Sequence, residues 1–103
     1  MALIIKPKDK NVIEIPGADI QLKELYVRIE FAGRADGKSI EFAPMGFLSK
    51  AKFDEGKPVT TNLVMQTLST PIDTTVEKQS VETAHKYAKL YFEQLGYDVT
   101  IEL

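Results

Sequence analysis

Apolar and polar residues alternate along the middle of this chain. Leu25, Val27, Ile29 and Phe31 are set between Tyr26, Arg28, Glu30 and Ala32, the period of two that belongs to a strand with one buried face. Alternation resumes at Ile40 and Phe42 against Glu41 and Ala43, after Gly33-Arg-Ala-Asp-Gly-Lys38. The Asp36-Gly37 pair suits a turn that needs positive φ, so these two runs predict a β-hairpin. Pro44 and Gly46 are expected to end or bulge the returning strand. Two shorter apolar runs precede the hairpin. Leu3 to Ile5 stops at Pro7, and Val12, Ile13 and Ile15 stop at Pro16-Gly17, where a missing donor and a permissive backbone favour a turn. Beyond the hairpin, Leu48 to Asp54 reads as a single helical turn. Val59 to Leu68 reads as strand from its threonines and branched residues, and Ser69 to Thr75 as a polar loop.

The period then changes. Val81, Ala84, Ala88, Tyr91 and Leu95 fall on one stripe, flanked by Tyr87 and Phe92, while Glu82, Lys86, Lys89 and Glu93 cluster opposite; this predicts an amphipathic helix over 81–95. Ser80 is placed as its N-cap and Gly96 at its C′ position. Tyr97, Val99, Ile101 and Leu103 then alternate with Asp98, Thr100 and Glu102, a final strand. The expected fold is α+β: a mostly antiparallel sheet of five or six strands, one long helix packed on one face, and a C-terminal strand. Its expected core is Leu25, Val27, Ile29, Phe31, Ile40, Phe42, Ala84, Ala88, Tyr91, Leu95, Val99 and Ile101.

With 103 residues, 44% hydrophobic and 27% charged, the chain is expected to fold as a single domain spanning 1–103. Thirteen basic against fifteen acidic residues leave a net charge of -2, so there is no global positive field for a phosphate backbone or an anionic membrane. Cysteine is absent, which removes disulfides, thiolate catalysis and sulfur-ligated metal sites. The apolar run at the N-terminus is too short for a signal peptide or a bilayer span, and the expected site of synthesis is the cytoplasm.

Four patterns suggest chemistry, and each has a plainer explanation. Ala32-Gly-Arg-Ala-Asp-Gly-Lys-Ser39 resembles a phosphate loop with alanine in place of its first glycine, but such a loop must lead into a helix, and Ser39-Ile-Glu-Phe-Ala is patterned as strand. His85 is the sole histidine and has no nucleophile or orienting carboxylate near it in sequence; at the border of the helical stripe it reads as a packing residue. Asp98 and Glu102 share a strand face, as paired glycosidase carboxylates do, yet alternation already accounts for their spacing. Tyr26, Arg28, Arg34 and Lys38 could line an outer hairpin face that stacks and neutralises single-stranded nucleic acid, although Glu24, Glu30, Asp36 and Glu41 lie among them. No catalytic, cofactor-binding or metal site is expected. Leu90, off the main stripe beside Thr83 and Tyr87, is either covered by the 69–75 loop or part of a contact patch, and the last strand suits a sheet edge open to another chain.

The strand Leu25-Tyr-Val-Arg-Ile-Glu-Phe, the return Gly37-Lys-Ser-Ile-Glu and the closing Glu82-Thr-Ala-His-Lys-Tyr-Ala-Lys with its terminal strand resemble small virion proteins of tailed bacteriophages. That resemblance implies a head, neck or tail subunit, located in the virion or, if not phage-derived, in the cytoplasm. The expected function is a non-catalytic structural or assembly protein that forms oligomers with itself or with other structural proteins through Tyr87, Leu90, Val99, Ile101 and Leu103. The alternative is a nucleic-acid-binding accessory module using the outer face of the 25–43 hairpin.

Overall fold

The computed structural model describes residues 1–9, 11–18, 20–33, 39–63, 67–71 and 77–102. Among the described residues seven strands and two helices follow one another as β1 (Ala2–Lys6), β2 (Ile13–Ile15), β3 (Ile20–Leu22), β4 (Leu25–Gly33), β5 (Ser39–Phe47), α1 (Lys50–Asp54), β6 (Leu68–Pro71), α2 (Glu77–Gln94) and β7 (Asp98–Glu102). Five strands form a sheet in the order β6-β5-β4-β1-β7, antiparallel at every described pairing, and β2 and β3 form a separate two-stranded ribbon. The fold is therefore α+β, with β7 as one edge of the main sheet.

Register explains the core. Leu3 lies between Val27 and Ile101, and Ile5 between Leu25 and Val99, so side chains from three strands form apolar rows across one face. Helix α2 covers that face with Ala84, Ala88 and Phe92, all fully buried. Alanine at 84 and 88 leaves room for the helix backbone to approach the sheet. Phe42 is also fully buried and meets Tyr87 edge-on, with ring centroids 6.1 Å apart, fastening β5 to the helix.

The opposite face is not bare. Helix α1 starts at Ser49, whose side chain accepts a hydrogen bond from Lys52 N at 3.2 Å, and it sets Phe53 over Tyr26 and Phe47 at centroid separations of 6.1 and 5.1 Å. Ala2, Tyr26 and Phe47 are buried there. Tyr26 alternates with the core residues, so its position predicts exposure; the rings supplied from the following segment overturn that. The sheet is covered on both sides, incompletely on the second.

Both helices stop at a glycine of positive φ, Gly56 at 68° and Gly96 at 96°. In each, the glycine N–H reaches back three residues and the next N–H five: Gly56 to Phe53 O and Lys57 to Lys52 O, Gly96 to Glu93 O and Tyr97 to Phe92 O. These are Schellman ends. The second sits in a dense corner. Asn11 Nδ2 donates to Gly96 O at 2.8 Å, and Tyr97 Oη donates to Val12 O at 2.8 Å. Asn62 clasps the edge of β2 through three bonds: its Nδ2 to Val12 O, its Oδ1 from Glu14 N, and its own N–H to Glu14 O.

Several boundaries differ from the pattern-based reading. Helix α2 begins at Glu77, so Ser80 lies inside it and is not the N-cap. Strand β5 runs through Pro44 and Gly46; β6 pairs with β5 only as far as Phe42, so no strand on that side requires the N–H that Pro44 lacks. Strand β6 occupies Leu68–Pro71, where a loop is expected, whereas the described part of 59–67 is not strand, and Val59 N makes a lone bond to Gly46 O. Threonine and branched residues favour strand only where a neighbour supplies a ladder. Phe31 and Leu95 are exposed rather than core. Phe31 stands where the β4–β5 register shifts, and a bulge turns a strand in a way alternation does not report; Leu95 follows the last helical residue. The Asp36-Gly37 turn, most of the 69–75 loop and the side chain of Ile40 lie outside the described residues.

The glycine corner yields a direct test. A Cβ on Gly96 would collide with the Asn11 amide and would stand on an L-residue at positive φ. Gly96→Ala is expected to lose about 2 kcal/mol, combining left-handed strain with the broken Asn11 bond. In an Asn11→Ala background the added cost of Gly96→Ala should shrink to the strain alone. Urea denaturation of the four chains measures both; equal costs in the two backgrounds would show that the Asn11 contact is irrelevant.

Candidate interaction surface

Exposed apolar side chains concentrate on α2. Leu90 is 58% exposed and Tyr87 40%. With Tyr91 and Gln94 they line a depression of about 140 Å³. Leu90 points away from the sheet because the buried stripe runs through Ala84, His85, Ala88 and Phe92, leaving position 90 on the far side of the helix. The nearby charges are engaged with each other in part: Lys89 Nζ is 3.0 Å from Glu93 Oε1 one turn on.

The five residues expected at an interface do not form one patch. Tyr87 and Leu90 are adjacent and exposed, whereas Val99 is buried beneath α2 and Ile101 packs against the same core. Leu103 lies outside the described residues. What β7 leaves open is its backbone edge with Asp98, Thr100 and Glu102, which are exposed, and not its apolar side chains. Val81, earlier on α2, is also exposed, as are Ile20 on β3 and Leu48 just after β5.

On the face proposed for nucleic acid, Tyr26 is only 5% exposed, and the Arg28 guanidinium lies 4.4 Å from the centre of the Phe53 ring. Cation–π stacking thus occupies the cation and a ring face that a base would need. Arg34 and Lys38 lie outside the described residues. The segment after Lys38 is strand β5, paired antiparallel with β4, and lacks the helix N-terminus that a phosphate loop requires.

His85 is 4% exposed. Its Nδ1 lies 2.7 Å from Val81 O, so Nδ1 carries the proton and donates, leaving Nε2 as an acceptor that is buried with no hydrogen-bond partner. Burial pushes its pKa below 6.5, the Val81 carbonyl opposing and the chain amino group adding to the shift. It is a neutral packing histidine, oriented by its own helix. A cleft of about 520 Å³ between Pro44–Gly46 and Pro58–Leu63 is lined by proline, methionine, glycine, valine, threonine and leucine, none able to exchange a proton near neutrality. Among the described residues no three His, Cys, Asp or Glu side chains gather as metal ligands. No helix among them is long and apolar enough to cross a membrane.

The lowered pKa of His85 carries a sign. Between its folded pKa and 6.5 the unfolded chain binds more protons, so its contribution is intact above 6.5 and declines as pH falls through the folded pKa. Melting temperatures are expected to fall between about pH 7 and pH 5, and His85→Leu, which cannot be protonated, should flatten that decline. Equal slopes in the two chains would contradict burial of a neutral imidazole.

No protein-family model, curated protein or solved structure matches the chain.

Proposed function

We propose that this chain is a non-catalytic assembly subunit that binds copies of itself or other structural proteins through the Tyr87–Leu90 flank of α2. The observation that carries the reading is Leu90: a large apolar side chain, more than half exposed in the middle of a well-packed helix, beside an exposed tyrosine. Helix surfaces facing only water hold polar residues at such positions, and aromatic and aliphatic side chains grouped beside a shallow depression are what protein contacts bury. A head, neck or tail component of a tailed bacteriophage is the specific form that the resemblance implies.

Absolute mass by light scattering, taken during gel filtration over a wide concentration range, tests it. A discrete species heavier than the 11.5 kDa chain is expected, and Leu90→Glu should return it to the monomer without lowering the melting temperature, since an exposed substitution changes stability by no more than about 0.5 kcal/mol. A strict monomer at every concentration would defeat self-assembly through this flank.

A further inference from the structure

Resting on the assembly reading, we propose that the β7 edge accepts an added strand from a partner protein whose outward side chains are basic at two positions four residues apart. Strand β7 ends the sheet and, among the described residues, pairs with β1 alone, through Ala2–Lys6. Among the described residues no backbone group outside β1 bonds to 98–102, so the far side of Asp98–Glu102 offers a row of donors and acceptors. Sheet edges avoid other chains by being short or by carrying charge, above all lysine, proline or a bulge; Asp-Val-Thr-Ile-Glu has no lysine, proline or bulge, and its charges are the two carboxylates at its ends, which exclude some partners and select others.

Side chains choose the partner. On the face away from α2, β7 presents Asp98, Thr100 and Glu102, all exposed. Their neighbours on β1 are Lys6, Ile4 and Ala2, and Lys8 reaches Asp98 only at 3.9 Å, so Glu102 has no cross-strand counter-charge. A second copy pairing its own β7 antiparallel about Thr100 would set Asp98 against Glu102 twice, and like charges directly opposed are destabilising. A strand with Lys or Arg at those places and an uncharged residue between them meets both carboxylates, in either direction. Added strands draw affinity from the main chain and selectivity from alternate side chains.

The test titrates the full ¹⁵N-labelled chain with the peptide Thr-Lys-Val-Thr-Val-Lys-Thr and with its counterpart carrying Glu for both Lys. Saturable amide shifts centred on residues 98–102 are expected, with the lysine peptide about tenfold tighter, as two exposed pairs changed from attractive to repulsive provide. A chain carrying Asp98→Lys and Glu102→Lys should reverse that preference. N-methylating alternate peptide nitrogens should abolish binding for one set and spare it for the other, because a strand directs alternate N–H groups to opposite sides. Shifts elsewhere, no saturation, equal affinity for the two peptides, or equal tolerance of both N-methyl sets would overturn the proposal. If the double variant does not fold, the two peptides on the natural chain decide it. An oligomer abolished by Leu90→Glu alongside a failed titration would remove the added strand and leave the assembly reading standing.

Discussion

The structure depends on the double engagement of β1. This five-residue strand pairs with β4 on one side and β7 on the other, and both its faces are covered: Leu3 and Ile5 lie beneath α2, and Ala2 lies within the cluster built around Tyr26 and Phe47. A strand covered on one face and partly on the other does not alternate regularly between apolar and polar, and its polar residue comes only at Lys6, where the second face opens. The unbroken Ala-Leu-Ile-Ile run follows from this. Among the described residues β7 has no other neighbour in the sheet, so the rows Val99–Ile5–Leu25 and Ile101–Leu3–Val27 exist only while β1 stands between them.

The two faces are covered by different means, and this leaves the surfaces that matter for recognition. Helix α2 spans several strands because its small residues face the sheet, and its length carries Leu90 and Tyr87 around to the far flank. Helix α1 is a single short turn whose main contribution is one ring, Phe53, shared by Tyr26, Phe47 and Arg28. Desolvating that cluster removes the aromatic and basic groups that would make the outer face attractive to nucleic acid. What remains outward is an apolar flank on the helix and an acidic edge on the last strand, two surfaces suited to different contacts.

Much of this architecture was legible in the sequence where periodicity and burial coincide. The β4–β5 hairpin, the short turn ending at Asp54, the amphipathic helix stopped by Gly96 and the edge position of β7 belong to that group; for Leu90 the sequence left cover and exposure as alternatives. Readings failed where a residue's environment comes from a distant segment. Tyr26 carries no local sign that Phe53 will cover it, and Leu95 continues the helical stripe although the helix ends one residue before it. The helical stripe is turned toward His85 and Phe92 because the sheet, not the helix, selects the facing residues. Pro44 persists inside a strand because the neighbouring strand ends first, a property of pairing that composition does not carry.

The Val12 carbonyl joins parts of the chain that are far apart. It accepts from Asn62, 50 residues on, and from Tyr97, 85 residues on, while Asn11 beside it binds the loop that ends α2. Closing loops of that length must be done before either bond returns anything, and topologies rich in such contacts fold slowly. The β2–β3 ribbon is anchored in two places, by Asn62 at the edge of β2 and by the Tyr97 and Asn11 bonds at the foot of α2, and both lie far from it along the chain. The ribbon is thus coupled to both halves of the chain: a disturbance that displaces Tyr97 removes one of its ties and leaves it to the Asn62 bonds.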